Sequence, residues 1–485
     1  MAGLYRRDWS RSTAPGCALQ ARWACVNSRH RPLLVALLCA LPPALAAVFQ
    51  LGRLHPDELF QSLEPANFKA FGYGVMAWEW QTGLRNWAVP GLFAWLLKAC
   101  AAVGLDHPQA RRAVCEVPQY ALHAAMLLAA YRFTARRVGA ERALWAIPLL
   151  GLTGLVIHFA GRTMGESWST AFLVWGVERL DARGVKPAAL GGALLGCAVV
   201  TRYGSLVPVA AAGGLVLAQR RWRDALAALA GGVVVALLLG ALDWATWGAP
   251  FHSLRAYVDF NVLSGKAAQQ FGSLPLAFYL QFYLALVLWA WPGLVVGFKG
   301  SAFPEAGRVW WPVVPAVAYL LAIFNTPHKE ARFLYPALVL LSVAALPGWL
   351  WLLAKRSPRL ERAALVLSVA AGLAQVPGLV RYGSGDDALS PQRPEQFRLW
   401  VKGGREATAM LLVNEGVWGS PGFFYLGKNI PWARCDEASE PQFQQAMATP
   451  QFNRVVTIQG RAMPELLAAG FKVLEVQGEA TLLGR

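Results

Sequence analysis

Long apolar runs separated by short polar or basic breaks dominate the chain. Runs able to cross the roughly 30 Å hydrocarbon layer of a bilayer fall near 32–50, 113–131, 144–160, 166–180, 188–203, 204–218, 224–242, 275–298, 309–325, 333–354 and 362–380. They predict an all-α polytopic membrane protein with about eleven transmembrane helices, several of them short. A further run at 88–104 is short, carries Lys98 and has Pro90 near its start. From 381 onward the pattern changes to mixed charge with Gly, Pro and strand-like pieces such as Ala409 to Asn414 and Arg454 to Ile458, which predicts a small α/β domain. The expected organisation is a basic segment 1–31, a membrane domain 32–380 whose first outer loop is 51–112, and a C-terminal domain 381–485.

The polar breaks orient the spans. If 88–104 lies at the outer surface instead of crossing, four basic loops share one side: Arg132 to Arg142, Arg179 to Lys186, Arg220 to Arg223, and Lys355 to Arg362. Arg6, Arg7, Arg11, Arg22, Arg29 and Arg31 fall on that side too, and the positive-inside rule makes it cytoplasmic. The opposite face then receives 51–112, the turn at Arg162, 243–274, 326–332 and the tail. The run ending Pro43-Ala44-Leu45-Ala46-Ala47-Val48 could pass for a signal peptide. The roughly 31 residues before it exceed a usual leader, so it reads as an uncleaved first span.

Composition changes the picture in two ways. The formal charge of +17 comes from 45 basic against 28 acidic residues, yet only 15% of residues are charged and 56% are hydrophobic. Thinly spread basic residues between apolar runs argue for a bilayer and against nucleic acid or disorder. Seven cysteines scattered through apolar stretches, the N-terminus and the tail give no disulfide framework. Walker-type Gly-rich loops, His-Glu-x-x-His, Gly-x-Ser-x-Gly and Cys/His metal spacing are all absent, so no metal or cofactor is expected.

Two charged constellations lie on the outer face. The first reads His55-Pro56-Asp57-Glu58-Leu59-Phe60-Gln61-Ser62-Leu63-Glu64, followed by Trp78-Glu79-Trp80 and Arg85-Asn86-Trp87. Acidic residues at a helix start commonly offset the macrodipole. Here further charges sit among aromatics in the same loop, a setting in which sugar rings stack and carboxylates act as bases on hydroxyls. The second, Thr326-Pro327-His328-Lys329-Glu330-Ala331-Arg332-Phe333, sets cationic side chains at the outer end of two spans. A snorkelling anchor is the ordinary explanation for one such Lys, but a cluster facing outward suits an anionic ligand such as a lipid-linked phosphate. Arg162 and Arg202 interrupt apolar runs, where a charge is a functional or a pairing residue. The stretch from Asp243 to Gly272, with Asn261, adds polar and aromatic groups on the same face.

In order from about residue 50 to 340, these motifs resemble glycosyltransferase family 22, which includes mannosyltransferases of dolichol-linked oligosaccharide and GPI-anchor assembly. The resemblance implies a GT-C fold, a polyprenyl-phosphate-linked mannose donor and inverting transfer to a hydroxyl of a glycan, lipid or protein acceptor. Asp57 would be the general base and Glu58 its neighbour in the site. His328, Lys329, Arg332 and Arg162 would hold the donor phosphate, and His55, Gln61, Glu64, Trp78, Glu79, Arg85 and Asn261 would contact substrate. Leu59, where eukaryotic members often have His, Ala77 where Thr is usual, and Gly165-Glu166 after Arg162-Thr163 depart from the family pattern and leave the acceptor open. The Ala/Gly/Arg-rich composition suggests a bacterial member in the inner membrane with its site facing the periplasm, or the endoplasmic reticulum membrane in a eukaryote. The tail, with Asn414, Trp418, Ser420 to Tyr425 and Gly427, more loosely resembles outer domains of bacterial lipid-phosphate glycosyltransferases. A GT-C enzyme for another lipid-phosphate sugar, hexose or aminoarabinose, is an alternative. A transporter is a second, though it predicts inverted repeats and broken midplane helices, and a catalytically silent scaffold is a third.

Overall fold

The computed structural model describes residues 15–49, 51, 55–299, 303, 309–381 and 394–485. Arg6, Arg7 and Arg11, the side chains of Arg22 and Arg29, and the start of the expected tail domain at 382–393 lie outside the described residues. Each apolar run falls on helix, because a backbone in hydrocarbon must satisfy its own N–H and C=O groups. Most runs give one helix each, including Pro15–Phe49, Pro108–Val138, Gly165–Asp181, Val185–Thr201, Trp222–Trp247, Ala277–Phe298, Tyr335–Leu353 and Pro358–Arg381. The run 144–160 departs from the expectation of one helix. It is broken into Ala146–Gly151 and Gly154–Phe159, with Thr153 extended between them and its hydroxyl accepting from the Val156 N–H. Glycine at 151 and 154 weakens a continuous helix there.

By length and apolarity, four stretches among the described residues can cross a membrane: His30–Phe49, Pro108–Val138, Trp222–Trp247 and Ala331–Leu353. Ala88–Ala102, Val185–Thr201, Tyr203–Ala218 and Trp310–Asn325 are apolar but shorter. Helix Ala88–Ala102 buries Phe93, Ala94, Leu97 and Cys100 and exposes Trp95. Backbones approach closely at Gly293 and Gly348, where a side chain on either would strike the other helix, the close packing that small residues permit between membrane helices.

Helix Gly165–Asp181 carries charge at both ends. At its C-terminal end Arg136 bonds Glu178 at 2.6 Å and Asp181 at 2.8 Å, and Arg137 bonds Asp181 at 3.0 Å, which locks it to Pro108–Val138. Glu166 at the other end enters the site described below.

The C-terminal residues form a five-stranded sheet. Strands β1 (Ala409–Val413), β2 (Trp432–Cys435), β3 (Phe452–Ile458), β4 (Lys472–Gln477) and β5 (Ala480–Gly484) lie in the order β2-β1-β3-β5-β4. Strand β1 runs parallel to β2 and β3, and β5 antiparallel to β3 and β4. Asn414 adopts a left-handed φ of 64°, so β1 stops one residue short of the expected piece.

This sheet unit is pinned to the segment that follows the first helix. The Glu64 carboxylate, fully buried, accepts the Phe424 N–H at 2.6 Å through Oε1 and the Val75 N–H at 2.6 Å through Oε2. Gly422 makes the approach possible. Its φ is +62°, and a Cβ there would lie 2.5 Å from Glu64 Oε1, so both conformation and space require glycine. Tyr73 meets Phe423 edge-on, Phe60 meets Trp418 at 5.1 Å, and His107 pairs with Arg405 at 2.9 Å.

Candidate active site

The segment that follows the first helix shapes itself locally. Pro56 opens a helical turn, Pro56–Glu58, and His55 caps it, its Nδ1 accepting the Asp57 N–H at 3.2 Å, because proline suits the first helical position and a polar side chain satisfies a free N–H. The turn then widens into a π-helix, Leu59–Leu63, before Glu64–Phe71 resumes α geometry and ends at left-handed Gly72. That widening shifts the register by one residue. Gln61 and Glu64 therefore do not share a face with Asp57: Gln61 is half-buried and Glu64 turns inward to the sheet unit.

The second segment brings its cation to the first. Glu330 is extended, Ala331–Leu334 is a 3-10 turn, and the chain then enters Tyr335–Leu353. Arg332 donates to Asp57 Oδ2 at 2.8 Å and to Glu330 at 2.5 and 3.0 Å, and lies 3.6 Å from Glu166. Glu330 also receives His328 at 2.8 Å and His55 at 3.2 Å. Glu166 in turn pairs with Arg202. Three carboxylates thus surround one guanidinium, with His55, His328 and Arg202 at the margins. Asp57 keeps 22% of its side chain exposed and Arg332 11%, so the pair opens to solvent while Glu166 is sealed beneath it.

These contacts set the charges. Burial would raise the Asp57 carboxyl, but Arg332 and then His55 hold it well below the usual carboxylate range. For His55, burial and Arg332 both act downward and are outweighed by Asp57 and Glu330, which bring the imidazole up to about 9. A raised folded value means that the stabilisation from charged His55 is complete below its ordinary 6.5 and is lost as pH climbs through about 9. The thermal unfolding midpoint of the purified protein is expected to fall across that window, and His55→Gln to flatten the fall. An unchanged slope in the variant would disconnect His55 from the network.

Several residues of the expected set do not face the Asp57–Arg332 pair. Glu58 faces away from Asp57, and its Oε1 accepts from Arg162 at 3.1 Å, both side chains being buried. Arg162 accordingly lies beneath the segment Pro56–Phe71, apart from His328 and Arg332. Around this pair Thr163 donates to the Glu58 carbonyl at 2.6 Å, Arg112 bonds Glu116 and the Gly161 carbonyl at 2.8 Å each, and Gln119 donates to the Ala160 carbonyl. A helical turn cannot present two consecutive carboxylates to one face, and the second is held by interior cations. Breaking such a pair costs about 3–5 kcal/mol, so Glu58→Ala is expected to unfold the protein at markedly lower temperature in a melt. A melt matching the wild type would show the pair to be dispensable.

Lys329 is buried and donates to the Thr326 and Pro327 carbonyls, closing its own turn. Glu79 and Arg85 bond one another at 2.6 Å. Trp78 lies 5.0 Å from Phe260 and 6.1 Å from Phe271, and Phe271 lies 5.1 Å from His328, which makes an aromatic wall leading to Arg332. Asn261 is exposed at its edge and donates to the Tyr257 carbonyl. Glu166, Arg202 and Glu330 join the site beyond the expected set. The sequence carries a signal for them: opposite charges at the ends of successive apolar runs, and an acid between two cations. Among the described residues no group of three His, Cys, Asp or Glu side chains is arranged to hold a metal ion.

Residues 33–381 match the family described as Alg9-like mannosyltransferase family. GPI mannosyltransferase 3 of Yarrowia lipolytica is 27% identical over 297 residues, 60% of this chain and 57% of that protein. Mannosyltransferase APTG1 of Arabidopsis thaliana is 26% identical over 320 residues, 63% of this chain and 57% of its own length. The chain thus spans less than two thirds of these curated relatives. Among solved structures, ArnT from Cupriavidus metallidurans bound to undecaprenyl phosphate superposes with a TM-score of 0.58 at 13% identity, over 94% of this chain and 98% of that one. The mycobacterial arabinofuranosyltransferase AftD gives 0.50 at 17% identity, over 94% and 40%. These likenesses show a GT-C fold.

Proposed function

The chain belongs to the Alg9-like mannosyltransferase family, and from that premise we propose that it moves a mannosyl residue from a polyprenyl-phosphate donor to an acceptor hydroxyl outside the cytoplasm. Transfer inverts the anomeric carbon, with Asp57 as general base. Residues 32–380 form the catalytic membrane domain and 381–485 an outer domain; in a bacterium the site faces the periplasm. The observation that carries this reading is the 2.8 Å bridge between Asp57 and Arg332, which joins a carboxylate on one outer loop to the cationic turn of another.

In an in-line displacement the base and the cation that holds the leaving phosphate stand on opposite sides of the sugar. The bridge must therefore open as the donor enters, and the donor phosphate opens it by taking Arg332 from Asp57. The exchange removes the strongest force keeping Asp57 acidic, so the carboxylate becomes a better base when a donor is in place. The acceptor oxygen then attacks the anomeric carbon and its proton passes to Asp57. The bond to the phosphate oxygen breaks, and the leaving polyprenyl phosphate keeps the electron pair. Arg332 and His328 face the charge that grows on it, where fixed donors lower the barrier most. Arg162 and Lys329 support this arrangement from their buried positions, while Trp78 and Phe271 line the approach.

Transfer of labelled mannose from a synthetic polyprenyl-phosphate mannose, in membranes containing the protein, tests this reading. Label is expected in a lipid or glycan fraction, with none from the glucose counterpart. Folded protein that moves glucose and no mannose would overturn the donor assignment.

A further inference from the structure

The sheet unit presents a feature that the transfer chemistry does not use. Strand β1 lies between β2 and β3 and runs parallel to both, so the chain passes from β1 to one neighbour and then crosses back over it to the other. Between β1 and β3 the strand order reverses, and the crevice beyond the carboxyl ends of such strands is where open α/β sheets bind ligands. Three of the six described non-glycine residues with positive φ sit at these ends: Asn414 after β1, and Gln459 and Ala462 after β3. The Asn414 side chain donates to the Ile458 carbonyl at 3.2 Å, joining the two loops. Left-handed non-glycine residues cost free energy and persist where the surroundings hold them.

The loop leaving β1 then delivers Trp418. This indole is 42% exposed, and it stands edge-to-face at 5.1 Å against Phe60, which is buried in the π-helix three residues beyond Asp57. The placement is rigid, because Glu64 of the same loop caps the backbone at Phe424 and Gln396 donates to the Gly419 carbonyl. A large aromatic left half-uncovered beside this loop, with the Asn414 amide held by the Ile458 carbonyl and the Gln459 amide held by Glu479 at 3.2 Å at the neighbouring strand ends, has the makeup of a carbohydrate subsite: an apolar face for the C–H side of a sugar ring beside a fixed polar rim.

Resting on the glycosyl-transfer reading above, we propose that the sheet unit carries an acceptor-glycan subsite at the β1/β3 ends with Trp418 as its stacking platform. The donor occupies the Arg332 side of the catalytic loop and the acceptor glycan the Trp418 side, so the hydroxyl reaches Asp57 from the direction opposite the phosphate.

The test uses the full chain with polyprenyl-phosphate mannose as donor and octyl α-mannoside as soluble acceptor probe. Trp418→Ala is expected to raise the acceptor KM roughly 5- to 10-fold, the scale of one aromatic contact, with donor KM and kcat within about twofold of the wild type. Trp418→Phe is expected to fall between. An unchanged acceptor KM overturns the subsite, and so does a fall in kcat with both KM values unchanged, which would make Trp418 only a support for Phe60. If the wild type transfers nothing, the function reading fails first. Saturation-transfer NMR of octyl α-mannoside then decides the subsite separately: a saturation signal that disappears in Trp418→Ala sustains it, and an equal signal from both proteins overturns it.

Discussion

Asp57→Asn is expected to lower mannosyl transfer by about a thousandfold while tightening the binding of polyprenyl phosphate. The loss follows from the proposed base role, since a positioned general base contributes roughly 10²–10⁴-fold and an amide does not take the proton. The gain follows from the bridge. On the proposed function the phosphate competes with Asp57, which Arg332 holds at 2.8 Å, and the neutral amide competes weakly. Glu330 still grips Arg332 through two bonds, so the guanidinium stays in place with one arm released. A severalfold to about tenfold lower Kd for polyprenyl phosphate is the expected size, tenfold corresponding to about 1.4 kcal/mol. Isothermal titration of both proteins in the same detergent, with transfer assayed in parallel, reads the two effects. Full activity in the variant would move the base elsewhere. Weaker phosphate binding would show that Arg332 is not shared between carboxylate and donor.

Arg332→Ala is expected to cost both catalysis and stability. Arg332 is the one cation that touches all three carboxylates, and Glu166 among them is buried. Removing one partner of a buried charge cluster costs about 3–5 kcal/mol, and on the proposed function the leaving phosphate also loses its counter-charge, for a roughly 10²–10³-fold fall in kcat/KM. Arg332→Lys separates the two effects. An ammonium keeps the charge but cannot hold Glu330 with two parallel bonds and still reach Asp57. The Lys variant is therefore expected to melt close to the wild type yet transfer about a hundredfold more slowly. A Lys variant with wild-type kcat would show that the planar fork is unnecessary. An Ala variant with an unchanged melt would place the carboxylates' support elsewhere.

Local pattern accounts for much of the architecture. Apolar runs such as 166–180 and 333–354 read as helices in a bilayer, and the β-branched run Arg454 to Ile458 reads as a strand, because both follow from neighbours within a few residues. Motif chemistry was equally legible. Two charged segments, at 55–64 and 326–333, carried the resemblance to a mannosyltransferase family, and the family match over 33–381 agrees with that family assignment. The inference from adjacency was less secure. Asp57 and Glu58 are consecutive, yet one reaches Arg332 and the other Arg162.

The chain by itself thus determined the helical membrane architecture, the small sheet unit and the two motifs that meet, because hydrophobic period and charge placement are properties of sequence. Only the tertiary structure decided which charges meet one another. A one-residue register shift in the π-helix turns Glu64 from the expected substrate surface into the anchor for Phe424. Glu166 and Arg202 lie 36 positions apart in the chain yet pair directly, and Arg332 joins them from a far later turn. Such pairings depend on how separate helices pack, and no local interaction along the chain encodes them.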